Sequence, residues 1–161
     1  MTLHLSLYKS VKALYQPKKN RVLSWVKKSI MFDYTHIYIN INVVSSSQSQ
    51  ELNYQYRNIN KATNVISLEY NTSNNTLNTL ATDSQNSLLF GDLFLCDEVI
   101  VSEAVIQNKS IMDHYAHMII HGVLHLQGFD HLNDIDAKEM ESLEIDILQK
   151  FAINNPYKLY I

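Results

Sequence analysis

The sequence predicts an α+β fold, a small mixed β-sheet with several helices, in a single domain over residues 1–161. Three observations carry this expectation. Alternating or β-branched strand patterns recur through the first 96 residues, whereas helical spacing of apolar residues dominates from residue 97 onward. The 161 residues are 46% hydrophobic, enough for one domain with a proper core. Neither an internal repeat nor a linker composition interrupts the chain.

Each element has its own signal. "TLHLSLY" (2–8) alternates as a strand does. "NRVLSWVKKSIM" (20–31) sets Val22, Trp25, Val26 and Ile30 at helical spacing, with Asn20 as the expected N-cap. "THIYININVV" (35–44) is a second strand, rich in β-branched and aromatic residues. "SSSQSQELNYQYR" (45–57) reads as a capped helix start leading through Leu52 and Tyr56, and "TNVISLEY" (63–70) as a strand. Residues 71–87 are polar, Asn/Ser/Thr-rich and aperiodic, a long surface loop that could cover a site. "LLFGDLFLC" (88–96) reads as a buried strand, its Gly91 marking a bulge or a close backbone approach. "DEVIVSEAVIQNK" (97–109) opens with acids, as a helix dipole favours. "SIMDHYAHMIIHGVLHLQ" (110–127) comes next, with Gly128 as its C′ stop. "NDIDAKEMESLEIDILQKF" (133–151) is a last amphipathic helix, capped by Asn133.

Composition narrows the class. No apolar run approaches the roughly 20 residues of a membrane span. The one cysteine, Cys96, excludes an internal disulfide framework and agrees with a reducing compartment, so a cytoplasmic location is expected. Residues 1–32 hold seven Lys/Arg and no acid, a faint likeness to an organellar presequence. The strand pattern at 2–8, and Lys in place of Arg, assign that stretch to the fold instead. The net charge of −3 is unevenly spread, with Lys9, Lys12, Lys18, Lys19, Arg21, Lys27 and Lys28 at one end and an acidic run from Asp130 to Asp146 near the other. Such a distribution either marks ordinary solvated helix faces or steers a polyanion onto one face.

Chemistry concentrates at one place. Five of the seven histidines, His114, His117, His121, His125 and His131, crowd into residues 114–131, together with Gly122 and Gly128. Residues four apart on a helix share a face, with β-carbons about 5–6 Å apart, so His121 and His125 can grip one ion. Gly128 then turns the chain and lets His131 return as a third ligand. Three histidines with an open fourth position is the arrangement of a catalytic zinc, and the lone cysteine excludes a closed Cys-rich site. Imidazoles also suit copper, iron or nickel, which leaves zinc as a preference. His114 and His117 continue the stripe, either as packed histidines or as groups that support the ligands or face a substrate. Asp130 is either a turn residue or a carboxylate that orients the His131 imidazole.

The spacing H-x-x-x-H-x-x-G-x-x-H is shared with metzincin proteases, whose H-E-x-x-H begins with a catalytic glutamate. Gly122 stands where that glutamate would be. Glycine cannot activate a water, and inside a helix it costs about 1 kcal/mol relative to alanine. The expectation is that it leaves room beside the ion for a bulky, multiply charged substrate.

These residues resemble the YbeY family of bacterial endoribonucleases and rRNA maturation factors. "HGVLHLQGFDH" is similar to that family's H-G-x-L-H-L-x-G-[YF]-D-H, and the likeness extends through "HYAHMIIHG" before it and "AKEMESLEIDIL" after it. "LNYQYRNINKATNVISL" resembles the family's L-N-x-x-Y-R-x-x-D-K-P-T-[DN]-V-L-S-F, and "FGDLFLC" its L-G-D-[IL]-x-[IL]-C. Asn60, Ala62 and Leu68 depart from that pattern, where the family carries Asp, Pro and Phe. Coverage runs from about residue 35 to the C-terminus. The resemblance implies a zinc site between the helix at 111–127 and the sheet, with one Zn²⁺ per chain. His121, His125 and His131 match the family's zinc ligands, and Arg57 its essential arginine.

The resemblance further implies single-strand-specific cleavage of RNA, maturation of the 3′ end of small-subunit rRNA, and a part in ribosome quality control. The implied partners are RNA and the ribosome, with ribosomal proteins and a ribosome-assembly GTPase as candidates, and no membrane or DNA. In this reading the ion and Arg57 share the charge that develops on the phosphoryl oxygens. Lys61 is a candidate further phosphate contact, and Asp92 a candidate acceptor serving the site. The attacking group is either a metal-activated water or a ribose 2′-OH. Two other readings stand beside this one: an rRNA-binding assembly factor with a mainly structural metal, and a metzincin-like zinc hydrolase.

Overall fold

The computed structural model describes residues 1–12, 15, 17–70 and 87–158. In chain order it holds β1 (Thr2–Lys9), α1 (Lys19–Ser29), β2 (His36–Val44), α2 (Ser46–Arg57), β3 (Val65–Glu69), β4 (Leu88–Cys96), α3 (Asp97–Ile106), α4 (Ile111–Leu126) and α5 (Asp134–Gln149). The strands form one mixed sheet in the order β1-β2-β4-β3. β1 and β4 run parallel to β2, and β3 pairs antiparallel on the edge of β4. This is the expected α+β architecture.

Period-two alternation divides the sheet into two faces. Ile37, Ile39 and Ile41 of β2, with Leu89, Leu93 and Leu95 of β4, are buried on the inner face. There they join Val22 and Trp25 of α1, Ile119, Ile120, Val123 and Leu124 of α4, and Ile147 and Leu148 of α5 in one core. The outer face carries a row of rings. His4 stacks on Tyr38 and Tyr38 on Phe90, each at 4.6 Å between centroids.

Caps define the helix ends that matter for function. α2 opens with a capping box, Ser45 accepting from Gln48 N while the Gln48 side chain accepts from Ser45 N. It ends at Arg57, where Asn58 adopts the left-handed conformation (φ 58°). α4 starts on Ser110, whose hydroxyl accepts from Asp113 N at 3.0 Å. At its end Gly128 (φ 98°) donates to His125 O, and Phe129 N donates to Leu124 O. That pair of bonds is a Schellman motif, and it needs the positive φ that glycine tolerates. Asn133 caps α5 through Asp136 N, as expected.

Two expectations need correction. Asn20 is not the N-cap of α1, because the helix already begins at Lys19 and the Lys18 carbonyl accepts from Arg21 N and Val22 N. The Asn20 carboxamide, inside the first turn, accepts from Arg21 N instead. Nor does Gly91 sit in a bulge: the β2–β4 register runs unbroken through the Ile39–Gly91 pair. The alternative expected there holds, a close approach, since a Cβ at this position would lie 2.5 Å from Leu126 Cδ2. The loop expected at 71–87 lies outside the described residues except for Ser87.

Leu126 is itself buried and cannot swing away. Gly91→Val is therefore expected to destabilise the fold by about 1–3 kcal/mol through overpacking. In a urea melt the midpoint should fall by roughly 1 M at an unchanged slope of about 2 kcal/mol/M. A midpoint that stays put would show that α4 does not press on β4 here.

Candidate metal centre

α4 presents His114, His117, His121 and His125 along one stripe. His121 and His125, one turn apart, bring their Nε2 atoms to 3.0 Å. The Schellman turn then returns the chain, and the His131 ring lies 5.1 Å from that of His125 and 5.7 Å from that of His121, centroid to centroid. Each of the three offers a nitrogen within 4.8 Å of the other two.

Hydrogen bonding orients the first two rings. Glu144 of α5 accepts from Nδ1–H of His121. His125 bonds the backbone of Phe129, and with its Nε2 turned to His121 the donor in that bond is Nδ1–H. Both Nε2 atoms therefore point at one spot, 3.0 Å apart. Two nitrogens so placed are held by a shared proton or by a cation between them. Burial, followed by the neighbouring charges of His121 and His131, pushes His125 down to about 4, so it is a neutral imidazole at ordinary pH. Neutral imidazole is the form that ligates. The donor set thus fits an N-ligated ion of the zinc type, held by His121, His125 and His131 with room for a fourth ligand.

The three histidines open into a cavity of about 570 Å³, lined also by Arg57, Asn64, Val65, Ser67 and Asp130. Its walls come from four elements. The C-terminus of α2 delivers Arg57, the inner face of β3 delivers Val65 and Ser67, α4 delivers two ligands, and the turn before α5 delivers Asp130 and His131. Arg57 is the one fixed cation among these lining residues. The end of α1 packs beside the same turn, with Gln127 bonding Met31 N and Ser29 O and Phe32 stacking on Phe129 at 5.8 Å. Lys27 and Lys28 occupy that last turn of α1.

The remaining sequence candidates fall in different places. Asp130 lines the cavity, but its carboxylate accepts from the backbone N–H of His131 at 2.8 Å rather than from a ring. His117 is buried beside the cluster and donates through Nε2 to Glu144 at 3.0 Å. Lys61 is exposed on the turn after α2, where its carbonyl accepts from Asn53, and it does not line the cavity. Asp92 points to the opposite face of the sheet, bonded to Asn40 at 2.9 Å and to the Tyr70 hydroxyl. An inner-face neighbour on each side, Gly91 and Leu93, forces it outward.

Gly122 does not leave open room beside the ligands. A Cβ there would meet Leu93 Cδ2 at 2.8 Å and Ser67 Oγ at 3.2 Å, and Ser67 donates to the Gly122 carbonyl at 3.2 Å. The glycine lets α4 lie directly on β3 and β4, which brings His121 and His125 up to the wall that carries Arg57.

Glu144 is the residue that sequence reasoning missed. It is fully buried, and it accepts from His117, His121 and the Tyr157 hydroxyl. Burial opposes its charge, yet the donors His117 and His121 outweigh that and hold its carboxyl down to about 2. Its signal was legible: Met140, Glu144, Ile147 and Leu148 share one helical face, so one acid interrupts an apolar stripe.

Comparison with known proteins places this geometry. The model of the family described as endoribonuclease YbeY matches residues 7–152. The chain belongs to the YbeY family of endoribonucleases. Endoribonuclease YbeY of Colwellia psychrerythraea (strain 34H / ATCC BAA-681) is 46% identical over 119 residues, which cover 74% of this chain and 71% of that protein. The solution structure of a Thermotoga maritima protein aligns over 97% of both chains with a TM-score of 0.51 and 18% identity, a likeness of fold. The YbeY match spans α2, β3, α4 and the turn to α5, so every wall of the cavity lies within it. Among the described residues no helix is long and apolar enough to cross a membrane.

Proposed function

We propose that the protein is a zinc-dependent endoribonuclease that cuts single-stranded RNA, matures the 3′ end of small-subunit rRNA and serves ribosome quality control in the cytoplasm. The observation that carries this reading is the joint lining of one cavity by three convergent histidines and Arg57. A bound zinc would supply Lewis acidity and an activated water near neutral pH. Arg57 holds two phosphoryl oxygens through its planar guanidinium and stabilises the charge that grows on them. His125 stays neutral and takes no part as an acid. Lys27 and Lys28, beside the His131 turn, track the RNA backbone, which makes binding salt-sensitive with little sequence readout. Ribosomal proteins and an assembly GTPase complete the proposed set of partners. Gly122 argues against the protease alternative, because no carboxylate lines the cavity at the place of the metzincin glutamate.

The test is a pair of variants assayed on single-stranded RNA and for metal content. Arg57→Ala is expected to lose about 10²–10³-fold in cleavage while keeping its metal, the cost typical of removing one donor from a developing anion. His121→Ala should lose both. Cleavage untouched by either change would overturn the nuclease reading. RNA binding without cleavage in the wild type would instead favour an assembly factor with a structural metal. The ends identify the nucleophile: 2′,3′-cyclic phosphate marks attack by the ribose 2′-OH, and 5′-phosphate marks attack by water.

A further inference from the structure

We infer that Glu144 is the positioning carboxylate of the metal centre and that Tyr157, from the segment after α5, locks it in place. The inference rests on the metal-site part of the reading above. Glu144 has no exposed surface, and α5 carries it into the core between Met140 and Ile147. A carboxylate so buried is costly unless donors and a compensating charge meet it. The donors are explicit. Oε1 takes Nδ1–H of His121, and Oε2 takes Nε2–H of His117 at 3.0 Å together with the Tyr157 hydroxyl. Among the described residues its ion-pair partners are these two histidines, with no lysine or arginine.

The far side of the His121 ring, where Nε2 faces the ligand cluster, is where a bound cation would add compensating charge. With an ion bound at that side, the carboxylate would fix the ring's tautomer and orientation and raise the basicity of the ligating nitrogen. His117 and Tyr157 bind the other oxygen, so the carboxylate cannot rotate away from His121. The Tyr157 ring stands edge-on to His117 at 5.5 Å and 88°, which ties the C-terminal segment to the same network. His117, His121 and Glu144 also lie close enough together to ligate an ion themselves, but the three hydrogen bonds already occupy the carboxylate.

The experiment titrates Zn²⁺ or Co²⁺ into the metal-free full chain against a chromophoric chelator, for wild type, Glu144→Gln and Tyr157→Phe. Glu144→Gln is expected to weaken metal binding about 10–100-fold and to alter the Co²⁺ visible spectrum, as loss of such a partner does at other histidine sites. Tyr157→Phe keeps the carboxylate and should weaken binding less, by roughly threefold to tenfold. Wild type should bind one ion per chain. A purely structural carboxylate would lower the thermal midpoint of the metal-free variant yet leave the affinity of the folded variant within twofold, and that result overturns the inference. Two ions per chain would also overturn it, since the second would use Glu144 as a ligand. Should Glu144→Gln not fold, Tyr157→Phe decides: unchanged affinity and spectrum overturn the proposal, and a loss supports it. A wild type that binds no metal at all sinks the metal reading itself, a distinct outcome.

Discussion

Gly122→Glu, which restores the residue a metzincin protease carries, is expected to destabilise the protein severely and to create no peptidase. The new Cβ would stand 2.8 and 3.1 Å from the two Cδ atoms of Leu93 and 3.2 Å from Ser67 Oγ. Leu93 is fully buried against α4, so it has nowhere to retreat. Overpacking of this kind costs about 1–3 kcal/mol. A carboxylate forced into the seam between α4 and the sheet adds several kcal/mol more where it stays unpaired. Replacing a helical glycine returns only about 1 kcal/mol. The balance is about 3–7 kcal/mol, which overlaps the lower edge of a domain's whole stability, about 5 kcal/mol. Gly122→Ala, by contrast, trades the same helix gain against overpacking alone and should fall by about 2 kcal/mol at most. Circular dichroism and urea melts read both. A folded Gly122→Glu with a midpoint within about 0.5 M of wild type would refute the close-contact account.

That glycine shows where sequence reading stops. Its position in the motif is visible in the chain, but what the helix presses against is not. Space that reads as room for a substrate is taken by Leu93 and Ser67. Strands and helices were legible because their periods are local: nine described elements follow patterns of apolar residues, caps and stops. Pairing was not, because a strand's own pattern does not say that β1 and β4 flank β2 in parallel while β3 turns back along the edge. Asn20 failed as a cap for a related reason. Cap-forming residues also occur inside first turns, and here the chain enters the helix already at Lys19.

The site divides along the same line. Helical spacing and a glycine stop are local signals, and they brought His121, His125 and His131 together as expected. Arg57 came from family resemblance, and only the fold reveals that the end of α2 faces α4 across the cavity. Asp92 was misplaced although its pattern was readable. In "LLFGDLFLC" the residues Leu89, Gly91, Leu93 and Leu95 alternate inward, which puts Asp92 outside. Asp130 carried two readings, a turn residue or a carboxylate orienting the His131 ring, and it bonds the His131 backbone instead of the ring. The carboxylate that does hold a ring of the histidine cluster comes from the next helix, 23 residues beyond His121.

Removing the metal should abolish cleavage while leaving the protein folded. The core that α4 shares with the sheet and α1 owes nothing to the ligands, since Ile119, Ile120, Val123 and Leu124 are fully buried on the helix's other face. Two of the three proposed ligands, His121 and His125, ride on that rigid helix, and only His131 depends on the turn after Gly128. An ion present at 100–1,000 times its dissociation constant would add about 2.7–4.1 kcal/mol to stability. At roughly 2–4 °C per kcal/mol for a chain of this size, chelation should lower the thermal midpoint by about 5–16 °C. The 3.0 Å approach of His121 Nε2 to His125 Nε2 sharpens that loss, because without a cation the two nitrogens must share a proton or separate. Catalysis should suffer far more. If the ion supplies several kcal/mol of charge stabilisation in the transition state, cleavage should fall at least about a thousandfold. Re-adding zinc should recover both, while His131→Ala should hold the ion weakly and recover neither fully. Metal-free protein that cuts RNA at an undiminished rate would end the metal-dependent reading, and a metal-free chain that is unfolded would show that the ion, not the core, holds α4 in place.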